Sequence, residues 1–272
     1  MDYKRATEEF FDVVSKSGRF TLVSHKTPDG DTICSAIALY HLLKEQGKKV
    51  ELCCIDSDLP MQYRFLEGFE RFKQKIDYAD SIVITLDCSD IQRAGFDLSG
   101  REIINIDHHK SNTHFGSYNF VSVDVATAVV LYKLIEWKFR LSLKSATAIY
   151  TGLLSDSQNF TTTLVDASTF RVALELIELG VNPSLTARYV NRYKSLAHTR
   201  LIAKTIDSLQ LCCSGKVAIM QLSRDVLEAN GARSSDIDGL IDYGIALATV
   251  EIALLLVEYP QSIKVSLRSK ER

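Results

Sequence analysis

Four short segments concentrate histidine and aspartate. They are His25-Lys-Thr-Pro28-Asp29-Gly30-Asp31, Asp87 after the run Ile82–Leu86, Asp107-His108-His109 after Glu102–Ile106, and Ser155-Asp156 at the end of a helical run. Imidazoles and carboxylates without thiolates form a donor set for Mn²⁺, Mg²⁺ or Zn²⁺ rather than for a soft-metal or iron–sulfur centre. Each segment alone has an ordinary alternative. Pro28, Asp29 and Gly30 are turn formers, Asp31 is placed to N-cap the next helix, and Asp87 and Asp156 are simple acids at element ends. Adjacent histidines after an apolar strand are costly unless liganded or solvated. Together the four segments fit a two-metal site, because this many carboxylates would repel one another without cations. His25 with Asp29 and Asp31 can reach two ions about 3.5–4 Å apart, and Asp87 and Asp156 can each bridge them.

The elements that must position these residues are legible as periodicity. Arg19–Ser24 reads as a buried strand between a helix around Tyr3–Ser17 and a helix over Thr32–Gln46. The second helix sets Ile33, Ile37, Tyr40 and Leu43 on one face, with Gly47 as its C-cap. Strands follow at Val50–Ile55, Ile82–Leu86 and Glu102–Ile106. Short apolar strands separated by helical stretches predict an α/β fold, a parallel sheet with helices on both faces. Ligands of such sheets lie outside the carboxyl ends of the strands, where three of the four segments fall. Helices are predicted at 127–139, 144–155, 166–179 and from 184. Arg188, Arg192, Lys194, Arg200 and Lys204 then follow with no acid among them, which reads as a solvated helix face. Strands at 210–213, 217–221, 249–257 and 262–267, with helices near 223–229 and 234–243, predict a smaller C-terminal α/β domain. The expected division is 1–190, a basic helical linker 191–204, and 205–272.

Composition removes other classes. Only 13 Gly and 4 Pro exclude collagenous and low-complexity chains. A formal net charge of −2 argues against a general binder of long nucleic acid, while leaving room for a small anion in a local positive site. No apolar run reaches the length of a membrane span, and the charged N-terminal ten residues lack a signal-peptide core. Cysteines 34, 53, 54, 88, 212 and 213 show no CxxC spacing. Reduced thiols and a cytoplasmic location are the expectation, with Cys34 a small packed residue.

The combined set, His25-x3-Asp29-x-Asp31, Asp87, Asp107-His108-His109 and Asp156, resembles the DHH phosphoesterases. Residues 155–183 are most similar to the branch of nano-RNases that also dephosphorylate 3′-phosphoadenosine 5′-phosphate (pAp). The segment Val265 to Lys270 resembles the DHHA1 substrate domain of that branch. The resemblance implies that His25 and Asp29 hold one ion and Asp31 and His108 the other, with Asp87 and Asp156 bridging. It implies that Asp107 orients His108, that His109 donates to the substrate phosphate in the transition state, and that Arg268 and Ser269 bind the nucleotide. Two divalent ions are implied, Mn²⁺ first and Mg²⁺ or Zn²⁺ as alternatives, as is a homodimer through the N-terminal domain.

The activity implied is hydrolysis of short oligoribonucleotides, linear dinucleotides or pAp by a hydroxide bridging the two ions. The alternatives are a family II inorganic pyrophosphatase and a weakened, nucleotide-binding protein. The chain departs from the family in Thr32-Ile-Cys-Ser35, where Gly-Ser is common. It also runs from Arg268 only to Arg272 without the usual Gly-Gly-Gly-His loop. On that basis the second domain is expected to lack the loop, and the chain to bind metal normally but to hydrolyse pAp and dinucleotides poorly.

Overall fold

The computed structural model describes residues 1–270, in two compact units divided between Tyr193 and Lys194. The expectation about a Gly-rich loop concerns positions outside the described residues.

In the first unit the order is α1 (Tyr3–Lys16), β1 (Arg19–Ser24), α2 (Gly30–Glu45), β2 (Lys49–Cys53), β3 (Phe72–Lys73), β4 (Ile82–Leu86), β5 (Ile103–Asp107), β6 (Tyr118–Val121), α3 (Thr127–Ile135), α4 (Leu143–Asp156), α5 (Ala167–Glu178) and α6 (Pro183–Arg192). The six strands form one parallel sheet in the order β3-β2-β1-β4-β5-β6. Strand order reverses between β1 and β4, so the loops leaving these two strands diverge and open a crevice at their carboxyl ends. Two of the four motif segments begin there.

Side chains alternate across the sheet, as the pleat requires. Phe20, Leu22, Leu52, Ile84, Leu86, Ile104 and Ile106 enter the large core shared with α1 to α4. Val23, Cys53, Val83 and Ile103 face the other way, into a small cluster closed by Ala94 and Leu98. Cover therefore differs between the faces. α-Helices pack on the first, and a 3-10 turn at Ile91–Ala94 with connecting segments covers the second. The sequence pattern did not reveal β3 and β6. The first is two residues long, and the second buries only Phe120 of its four.

The second unit runs α7 (Leu196–Asp207), β7 (Gln210–Cys212), β8 (Val217–Leu222), α8 (Arg224–Ala229), α9 (Asp242–Ile245), β9 (Ile252–Tyr259) and β10 (Ser262–Ser269). Its sheet, β10-β9-β8-β7, is antiparallel except for the β8–β9 pair. The segment 191–204, read above as a linker, is split: α6 ends in the first unit, and Leu201 of α7 is fully buried in the second unit's core. The helix read over 234–243 is a 3-10 turn at Ser234–Ile237 followed by α9. Gly239, at φ +79°, breaks it.

Candidate metal centre

β1 delivers His25 to the crevice. Its Nδ1 is 2.7 Å from the Lys26 carbonyl, which fixes a proton there and turns Nε2 toward the acidic groups. Nε2 is buried and has no hydrogen-bond partner. It lies 3.3 Å from Asp87 Oδ2 and 3.7 Å from Asp29 Oδ1. Asp29 is also the N-cap of α2, accepting from the Asp31 and Thr32 backbone amides. The N-cap position, an ordinary alternative role for Asp31, is thus filled by Asp29. Asp31 does a related job elsewhere. Its carboxylate accepts from the amides of Thr127 at 2.5 Å and Ala128 at 3.0 Å, and so caps α3. α3 needs this, because its own N-cap residue is Ala126, with no side chain to offer.

Asp87 follows β4 with φ +60°, a left-handed conformation that Asp tolerates better than most residues. Its Oδ1 accepts from Thr127 Oγ1 at 2.9 Å, and is 3.4 Å from His108 Nε2 and 3.5 Å from His109 Nδ1. Asp156, the last residue of α4, lies 3.6 Å from His108 Nε2. Three groups result, each offering ligand atoms within 4.8 Å of one another: His25, Asp29 and Asp87; Asp31, His108 and Asp156; and Asp87, His108 and His109. All six residues named as ligands from the sequence meet here.

The orienting contacts differ from the expectation. His108 Nδ1 is 2.9 Å from the Asp124 carbonyl, whereas Asp107 Oδ1 is 2.8 Å from His109 Nδ1. Asp107 therefore orients His109 rather than His108. Asp107 ends β5, whose odd residues face away from the helices, and the chain turns so that the second histidine comes back over it. Asn112 holds the other carboxylate oxygen of Asp107, and also the Asn105 side-chain oxygen at 2.8 Å. Thr127, Asp124 and Asn112 were missed from the sequence. The one signal was that α3 lacks a capping residue of its own. Arg268 and Ser269 lie on β10 of the second unit, where the Arg268 charge opposes the effect of burial on the Asp242 carboxyl.

Electrostatics matches a cation site. Burial, with Asp87 and Asp156 nearby, pushes Asp31 well above the usual carboxylate range, and Asp156 is raised to about 7 by burial with Asp29 and Asp87 adding to it. Burial disfavours charge on His25 and His108, yet the surrounding carboxylates outweigh it and lift them to about 10 and about 9. The neighbouring thiols do not compete: burial and the adjacent carboxylates drive Cys34 and Cys88 well above the usual range. An unpartnered buried imidazole nitrogen among hard oxygen donors fits a divalent cation.

Two expected results follow. Ligating imidazoles must be neutral, so Mn²⁺ uptake near pH 8 should release about two protons, and affinity should rise with pH toward 9 to 10. Calorimetry in buffers of different ionisation enthalpy counts the protons, and buffer-independent heats would contradict the ligand set. Gly30, at the start of α2, leaves no room for a side chain: a Cβ there would lie 2.2 Å from both Ser155 Oγ and Tyr63 Oη. Gly30→Ala should cost about 2 kcal/mol of stability by overpacking and weaken Mn²⁺ binding. Chemical denaturation with and without Mn²⁺ checks both.

Residues 19–154 match the DHH family, N-terminal domain. A bifunctional oligoribonuclease and PAP phosphatase of Thermus thermophilus is 30% identical over 265 residues, covering 93% of this chain and 76% of the relative. A probable manganese-dependent inorganic pyrophosphatase of Bacillus pumilus is 25% identical, covering 88% of this chain and 82% of the relative. The crystal structure of an exopolyphosphatase-related protein from Bacteroides fragilis superposes with a TM-score of 0.88 at 23% identity, covering 98% of this chain and 83% of that one. Among the described residues no helix is long and apolar enough to cross a membrane.

Proposed function

Because the chain belongs to the DHH family of phosphoesterases, we propose that it is a two-metal hydrolase of short oligoribonucleotides, linear dinucleotides and pAp. The observation that carries this reading is the buried, unpartnered Nε2 of His25 inside an interlocked set of aspartates and histidines at the sheet's switch point. The similarity to the Thermus oligoribonuclease and PAP phosphatase supports the substrate class.

His25, Asp29 and Asp87 would hold one cation, and Asp31, His108 and Asp156 the other, with Asp87 and Asp156 shared. The chemistry supplied by two bound divalent ions is a water nucleophile at neutral pH and neutralised charge on the phosphoryl oxygens. The protein's part is geometry and proton placement. The Lys26 and Asp124 carbonyls hold the Nδ1 protons of His25 and His108, so both rings present Nε2. His109, bonded through Nδ1 to Asp107 and raised in pKa chiefly by that bond, would present an Nε2–H in its protonated form. That group would donate to a phosphoryl oxygen as its charge grows in the transition state. Arg268 and Ser269 would recognise the nucleotide, the guanidinium by paired hydrogen bonds.

A second reading, inorganic pyrophosphate as substrate, draws support from the Bacillus pumilus relative. Phosphate release from pAp and from pyrophosphate, and product analysis of di- to pentaribonucleotides, all with Mn²⁺, separate the two. Faster turnover of pyrophosphate than of every nucleotide would overturn the first reading.

A further inference from the structure

The basic stretch that reads as a solvated helix face lies against an aromatic ring from a distant part of the chain. Phe65 and Tyr189 stack with centroids 4.4 Å apart and planes 10° from parallel, and Tyr193 continues the row at 5.8 Å from Tyr189. The Arg188 guanidinium sits 5.7 Å from the Tyr189 centroid. Tyr193, which caps α6, is 50% exposed, and Arg188 and Arg192 are exposed as well. No acid occurs between Leu179 and Ile206.

Two links tie this row to the metal centre within the first unit. Tyr63, two residues before Phe65, hydrogen-bonds Ser155, the neighbour of Asp156, at 2.8 Å. Asn159, three residues after Asp156, forms a reciprocal amide pair with Asn191 of α6, at 2.9 and 2.7 Å. Gln158, Asn159 and Phe160 adopt three successive left-handed conformations, in the turn from which the Asn159 side chain reaches α6.

Resting on the phosphoesterase reading above, we propose that Phe65, Tyr189 and Tyr193, flanked by Arg188 and Arg192, form a shelf that binds the nucleotide next to the scissile one in a short RNA. Every base has a π-face, so stacking on aromatic rings is tolerant of sequence. Exposed guanidiniums beside the rings match the phosphates linking successive bases. A mononucleotide such as pAp has no second base to place there. The shelf therefore separates oligoribonucleotides from pAp as substrates of one centre. Residue types alone could not show this, because Phe65 and Tyr189 become neighbours only through the fold.

The test measures binding without turnover. Anisotropy of a fluorescein-labelled pentaadenylate in EDTA gives an affinity independent of bound metal. Tyr193→Ala should weaken it about tenfold, within the range for loss of one stacked base, and Tyr193→Phe should restore it. Arg188→Ala and Arg192→Ala should each flatten the salt dependence. In Mn²⁺, Tyr193→Ala should lower kcat/KM on the pentamer about tenfold relative to pAp, through KM. Unchanged pentamer affinity in Tyr193→Ala, failure of Tyr193→Phe to restore it, or no RNA binding by the parent protein would each overturn the shelf. Tyr193-dependent RNA binding in a protein that hydrolyses only pyrophosphate would sustain the shelf and overturn the substrate reading instead.

Discussion

Asp87→Asn lowers phosphate release by about a thousandfold or more under saturating Mn²⁺ and leaves the metal-free fold intact: that is the expected result. Asp87 belongs to two of the three candidate ligand groups, and its two oxygens face His25 and His108 at 3.3 and 3.4 Å. Losing a shared ligand removes several kcal/mol of charge stabilisation, and each 1.4 kcal/mol is about tenfold in rate. Asparagine is the informative variant, because Asp87 sits at φ +60°. Alanine there would add a backbone cost of about 1 kcal/mol unrelated to the chemistry. Neutralising Asp87 also relieves the pressure that it places on buried Asp31. The melting temperature in EDTA should therefore move little, while the rise produced by Mn²⁺ in the parent should vanish. Near-parental turnover would show that the centre lies elsewhere.

The second large effect divides the two adjacent histidines. His108 offers Nε2 to Asp31, Asp87 and Asp156, whereas His109 is held by Asp107 and is one-third exposed. His108→Ala should lose bound Mn²⁺ by elemental analysis. His109→Ala should retain its metal yet slow kcat about 10² to 10³-fold, the usual loss for one donor to transition-state charge. Asp107→Asn should resemble the His109 variant, because Asp107 acts on that ring. Equal metal loss in both histidine variants would reject the division of labour.

The residues of the candidate site were legible in sequence because each is tethered to a recognisable element. His25 follows an apolar strand, Asp87 ends another, and Asp107 closes a third, so residue type and strand end coincide. The contacts that orient those side chains were less legible. Nothing in Asp107-His108-His109 shows which imidazole folds back on the carboxylate, since that depends on the turn after β5. Asp124 contributes a carbonyl, which every residue possesses. Asp31 caps α3 from across the core, a pairing invisible to any local rule. In the fold, the long periodic elements were read correctly. Two-residue β3 and the break at Gly239 escaped because short edges and single glycines leave too little pattern.

The capping of α3 by Asp31 has a consequence for how ions enter and leave. The N-terminal end of a helix carries partial positive charge, and here it faces Asp31 directly and Asp87 through Thr127. Part of the acidic cluster is thereby compensated by the backbone itself, before any cation arrives. The cradle should then survive chelation as a folded vessel. Manganese restored after EDTA treatment should recover activity without a refolding lag, and a competing cation should displace it by simple exchange. Which ion the centre takes would then be decided by supply and ligand chemistry rather than by the history of the fold.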